Sequence, residues 1–201
     1  MTLRRVFCDG PLSFKRPEEI VFGTGKSALG PILVASGEKG VVSILIREKA
    51  DHLVRDLRKR FPKANLVRKE KDCKPTIARV KAFIVAPFGR LDLPLDVRGT
   101  PFQKRVWEEV RKIPPGQTST YTKIAQLIGA PGAIRAVGSC CSNNWFAFAI
   151  PCHRVLHKDS EGPGRRGRRS GRQYAWVGYE ERIVAKRRTR TTRPAAPGAS
   201  P

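Results

Sequence analysis

The sequence predicts an α+β protein: a small N-terminal α/β domain over residues 1–90, a C-terminal helical domain over 91–185, and a basic disordered tail over 186–201. Three observations carry this reading. Short β-rich runs bounded by turns fill the early part of the chain. A stretch with apolar residues at helical spacing and Lys and Arg opposite follows them. From Thr100 to Ser142 the apolar pattern takes the helical period, with breaks at Gly and Pro.

In chain order, EIVFG (19–23), GPILVA (30–35) and GVVSILI (40–46) are expected strands, the last two joined by a hairpin-like Ser36-Gly37-Glu38-Lys39. A helix is expected from Glu48 to Phe61, where Leu53, Val54, Leu57 and Phe61 share a face and Pro62 stops it. A second is expected near Thr76 to Val85. Pro87 to Pro94 makes an irregular link into Leu95 to Arg98, where the domain boundary is set. Thr100 then opens a helix with Phe102, Val106, Trp107, Val110 and Ile113 on one face, ended by Pro114-Pro115-Gly116. Thr120 to Ile128 shows Ile124, Leu127 and Ile128 on a face, and Ala133 to Ser142 forms a short helix rich in small residues. Two short helices across the turn Ala130-Pro131-Gly132 read either as a plain αα-hairpin or as a DNA-binding helix-turn-helix.

Charge narrows the partner. Lys and Arg number 40 against 17 Asp and Glu, a formal net charge of +23, which points to a polyanion. Residues 156–201 hold 12 basic and 4 acidic side chains, so most of the excess belongs to the body of the chain. The five cysteines, at 8, 73, 140, 141 and 152, form neither an even disulfide set nor a metal-ligand spacing, which suits a reducing compartment. Adjacent Cys140 and Cys141 read as small buried hydrophobes. No segment reaches the ~18 apolar residues of a membrane span, and a cytoplasmic protein is expected.

The apolar run Trp145 to Ile150 (WFAFAI), strand-like or buried, leads into Pro151-Cys152-His153-Arg154-Val155. A thiolate is the reactive form of cysteine, and a histidine nearby can draw off its proton. In an extended segment successive side chains diverge, so a turn or a water must connect the two. By spacing alone, Cys152 and His153 are either a nucleophile and its base or a structural cysteine beside a solvent-facing histidine.

The full string goes further. Residues 93–155, with RGTPFQKRVW, IPPGQTSTY, RAVG and IPCHRV in unbroken register, closely resemble the C-terminal domain of the methylated-DNA:protein-cysteine methyltransferases, which take alkyl groups from O6 of guanine and O4 of thymine. Residues 1–90 resemble that family's smaller N-terminal domain more loosely. The resemblance implies an RNase H-like N-terminal fold, a C-terminal domain of winged helix-turn-helix type, and no metal or organic cofactor. It implies that Cys152 is the acceptor, alkylated once and never regenerated, and that His153 takes the thiol proton through a water. Asn144 would steady the turn around Cys152. Tyr121 would rotate the target phosphate and help protonate the leaving guanine, and Arg135 would fill the gap left by a flipped nucleotide. Ala133, Ala136, Gly138 and Ser139 would allow close approach to a minor groove about 6 Å wide, or else serve tight helix packing. Val155, Tyr174 and Ala175 match the substrate loop. The implied partner is double-stranded DNA carrying alkylated bases in any sequence context, bound by a monomer.

The pattern departs from the family after Val155. An Arg-, Gly- and Ser-rich insertion precedes Tyr174, and Lys186, Arg187 and Arg188 stand where the family's relay glutamate is expected. Three readings are open: Glu180 or Glu181 substitutes from a shifted helix, the relay is incomplete and transfer slow, or a reading-frame shift spoiled the last helix. Two other functions compete with alkyl transfer. One is non-catalytic binding of alkylated bases, against which the presence of Cys152 argues. The other is helix-turn-helix regulation, whose family representatives carry an added cysteine-rich zinc domain.

Overall fold

The computed structural model describes residues 18–156. Strands β1 (Glu19–Ser27), β2 (Gly30–Gly37) and β3 (Gly40–Ile46) form an antiparallel meander, and β4 (Asn65–Arg68) joins β1 in parallel, giving the order β3-β2-β1-β4. Period-two alternation gives the sheet two apolar faces. On one, Ile20, Phe22, Leu33, Ala35, Val42 and Leu45 pack against Leu53, Leu57 and Phe61, which belong to or directly follow helix α1 (Ala50–Arg60). On the other, Ile32, Val34, Val41, Ile44 and Ile46 pack against α2 (Glu70–Val85) and join one cluster that runs through to Val155. The sheet therefore shares its second core with the later helices.

Those helices are α3 (Pro101–Arg111), α4 (Tyr121–Leu127) and α5 (Ile134–Ser142). Thr100 caps α3 with a reciprocal box: its side chain accepts from the Gln103 backbone while the Gln103 side chain accepts from its own. Thr120 caps α4 by accepting from the Lys123 N–H at 3.1 Å. The Trp107 indole of α3 donates to the Cys140 carbonyl of α5 at 3.1 Å, which fixes these two helices in register.

Three expectations are corrected. The strand β4 had no sequence signal, and α2 begins at Glu70 rather than near Thr76, because Pro75 lies within the helix and does not mark its start. Leu127, expected on the buried face of α4, is 58% exposed; Tyr121, Ile124 and Ala125 are the buried set. Of the two readings of Trp145 to Ile150, strand-like or buried, the first is corrected and the second holds, since Phe146, Ala149 and Ile150 are buried and the run is not a strand. It is a turn-rich segment joined to β3 of the sheet by a bridge between Phe146 and Ile44 and by the Ser43 hydroxyl, which donates to the Trp145 carbonyl.

That bridge belongs to a wider set of backbone contacts along β3. This edge strand hydrogen-bonds both the link at residues 94–96 and the Trp145 segment: Val41 N–H donates to Pro94 and Asp96 N–H to Val41, while Ile44 N–H donates to Trp145 and Ala147 N–H to Ile44. Gly40 permits the first contact, since it sits at φ +135° and a Cβ there would lie 2.3 Å from the Pro94 carbonyl oxygen.

Candidate active site

Cys152 opens a single 3₁₀ turn, Cys152–Arg154, which runs into the short strand β6 (Val155–Leu156). Parallel pairing of β6 with β5 (Ser119–Thr120) ties the IPCHRV segment to the residues just before α4. Upstream, Asn144 spans the loop. Its Nδ2 donates to the Ile150 carbonyl at 2.7 Å and its Oδ1 accepts from the Phe146 N–H at 2.9 Å. The Ile150 N–H in turn donates to Phe146, and the Cys152 N–H to Ile150. The turn before the cysteine is therefore fixed from both ends, and no extended segment has to bend to present it.

The Cys152 thiol is 4% exposed. Burial pushes its pKa well above the usual cysteine range, and a hydrogen bond with the Cys141 thiol adds to this, while one with Asn144 acts in the opposite sense. The resting site holds a neutral thiol, so a nucleophile forms only when its proton is removed. His153 is half-buried, and its ring meets that of Phe148 edge-on at 6.0 Å between centroids. Arg154 is buried and donates to the Ile113 carbonyl at the end of α3, at 2.6 Å. Val155 is fully buried and belongs to the same core.

Tyr121 is 2% exposed, with its hydroxyl buried. Arg135 is exposed on α5, Val137, Cys140 and Cys141 face the core, and Ala133, Ala136 and Gly138 are half-buried beside exposed Ser139. A Cβ added at Gly138 would meet no atom of the described residues within 4 Å, so packing among them does not account for the glycine. Tyr174, Ala175, Glu180 and Glu181 lie outside the described residues. Among the described residues no group of His, Cys, Asp or Glu is arranged to hold a metal ion, and no helix is long and apolar enough to cross a membrane.

Spacing alone missed two contributors. Cys141 reaches the Cys152 thiol from a helix eleven positions upstream, and a buried pair of small residues carries no sequence mark of that contact. Phe148 adopts φ +66°, a conformation that sequence reading assigns to Gly or Asn.

A family profile described as 6-O-methylguanine DNA methyltransferase, DNA binding domain, matches residues 101–182. The bifunctional transcriptional activator/DNA repair enzyme Ada of Escherichia coli is 40% identical over 138 residues, which cover 69% of this chain and 39% of that protein. The chain thus spans about two fifths of this relative's length. The methylated-DNA--protein-cysteine methyltransferase of Methanosarcina barkeri is 37% identical over 139 residues, covering 69% of this chain and 84% of that one. Among solved structures, the OGT of Mycobacterium tuberculosis in complex with DNA superposes with a TM-score of 0.64 at 28% identity, covering 81% of this chain and 94% of that one.

Proposed function

The chain belongs to the 6-O-methylguanine DNA methyltransferase family, and from that premise we propose that it repairs alkylated DNA by direct reversal, moving the alkyl group from O6 of guanine or O4 of thymine onto Cys152. The observation that carries this reading is a buried thiol, followed in sequence by a histidine, at the end of a rigidly bonded turn. The carbon–oxygen bond to the base breaks as the carbon–sulfur bond forms. His153 takes the thiol proton through a water, which suits a neighbour whose ring is packed against Phe148. The departing guanine gains a proton, and the buried Tyr121 hydroxyl fits this donor role better than an outward contact with phosphate. The thioether is stable, so each molecule acts once.

A base inside a duplex cannot meet a thiol that is only 4% exposed, so the target nucleotide is flipped out of the stack. The outer side of α5 is built for this approach. Arg135 is exposed to take the vacated place, and Gly138 leaves room that no side chain among the described residues uses. These two features favour a helix-turn-helix over a plain αα-hairpin. We extend the reading to the finer fold, an RNase H-like unit over 1–90 and a winged helix-turn-helix unit over 91–185, to Val155, Tyr174 and Ala175 as the substrate loop, and to Glu181 as a relay member. It extends likewise to a monomer in the cytoplasm that binds without sequence preference, using phosphate contacts for most of its affinity.

The test is a duplex carrying O6-methylguanine with a labelled methyl. One equivalent of label is expected on the protein, and none on Cys152→Ala. Binding without transfer would favour a lesion-binding protein, and no preference for alkylated DNA would favour a regulator.

A further inference from the structure

Phe148 is the one non-glycine residue at positive φ among the described residues, with φ +66°. A bulky side chain is strained in this left-handed conformation, and a glycine would avoid the strain. The backbone on either side dictates the conformation. Ala147 N–H is bonded to Ile44 of the sheet, Ala149 N–H to Ala147, and Ile150 N–H to Phe146. What the chain gains by keeping phenylalanine at this point is visible in the ring contacts. One neighbour is Phe83 of α2, at 6.2 Å and 55°. The other is the His153 imidazole, at 6.0 Å and 68°, an edge-on arrangement that aromatic rings prefer.

We propose that Phe148 is a positioning residue that fixes the plane of the His153 imidazole from the opposite side of the turn, anchored in turn by Phe83. The inference rests on His153 acting as the base. Proton transfer through a water requires the His153 ring nitrogen to be aimed consistently, and the edge-on contact with Phe148 supplies such a constraint. Phe148 acts through His153.

The experiment measures single-turnover transfer from an O6-methylguanine duplex, per folded molecule, for Phe148→Leu, Phe148→Gly and Phe148→Tyr, and repeats the leucine change in a His153→Ala background. Leucine keeps apolar bulk without a ring face, and glycine relieves the backbone, so both are expected to slow transfer at saturating DNA about tenfold while half-saturation stays put. Tyrosine restores the rate. The His153 ring-proton resonances should move in Phe148→Leu and stay in place in Phe148→Tyr, since a ring current is lost only in the first. In His153→Ala the leucine change should add nothing, as expected when one residue acts through another. A wild-type rate in Phe148→Leu, or a further slowing in the His153→Ala background, overturns the inference. A wild-type rate in His153→Ala alone overturns instead the assignment of the base. If glycine leaves the rate unchanged while only leucine slows it, the side chain is a steric nuisance rather than a support, and the proposal fails.

Discussion

Asn144 and Ile150 are joined across the loop before Cys152 by a 2.7 Å hydrogen bond from Nδ2 to the carbonyl, while the same amide accepts from the Phe146 N–H. One side chain thus satisfies two backbone groups of a partly buried turn and also reaches the Cys152 thiol. Removing it in Asn144→Ala should cost about 1–3 kcal/mol in urea denaturation, the penalty of leaving such groups unsatisfied. Transfer should slow more than stability falls, by about tenfold or more per folded molecule, because sub-ångström placement of the nucleophile is lost. Equal losses in the two measurements would mean that Asn144 serves the fold alone.

The neutral state of Cys152 has a pH signature. A thiol whose folded pKa lies above its unfolded value, about 8.5, loses nothing on folding while both states are protonated. As pH rises past the unfolded value, the unfolded chain releases a proton that the folded one keeps, so the contribution to stability is lost progressively toward the folded pKa. The slope of unfolding free energy against pH above about 8.5 should therefore be less negative in Cys152→Ser than in wild type. Buried Cys73, also pushed up by burial and by Asp72, contributes equally to both and cancels in the comparison. In native protein without DNA, iodoacetamide should modify Cys152 slowly at pH 8 and rapidly only after denaturation. Fast native labelling would contradict a buried, protonated resting thiol.

The N-terminal strands were legible because each carries β-branched runs between glycines, and β2, the most continuous of them, lies between two strands with both faces covered. β4 was not legible, because four residues with two charged or polar ends have no periodicity of their own; they pair only because β1 offers a free edge. The run Trp145 to Ile150 misled for the opposite reason. Its apolar content reflects burial of a turn against Ile44, not alternation across a sheet. That Cys152, His153 and Asn144 belong to one turn was legible through the motif they share with a family. The Phe148 and Cys141 contacts depend on the path of the turn and had no local mark.

Gly40 should tolerate no side chain. Gly40→Ala places a Cβ against the Pro94 carbonyl and demands φ +135° of an L residue, so a loss beyond about 2 kcal/mol is expected. The damage should spread to the site, because the Val41 to Pro94 and Ile44 to Trp145 bonds share one edge strand. Faster hydrogen exchange at Ala147 N–H in Gly40→Ala would demonstrate that coupling. Unchanged exchange there would confine the strand's role to the link at residues 94–96.

Gly138 reverses the case. It lies within α5, and a Cβ there meets open space, so Gly138→Leu should raise stability by about 0.5–1 kcal/mol through helix propensity alone. If the outer face of α5 enters a groove of DNA, the same substitution must weaken duplex binding by filling the space the backbone needs. Arg135→Ala should show a complementary pattern. Transfer from a duplex should fall about tenfold or more, since a flipped state has lost its support, while reaction with free O6-methylguanine base stays at its wild-type rate. Measuring both variants on duplex and on free base separates approach from chemistry. A glycine variant that is more stable, equally reactive with free base and weaker on duplex would locate the DNA on α5. Unimpaired duplex binding by both variants would remove α5 from the interface.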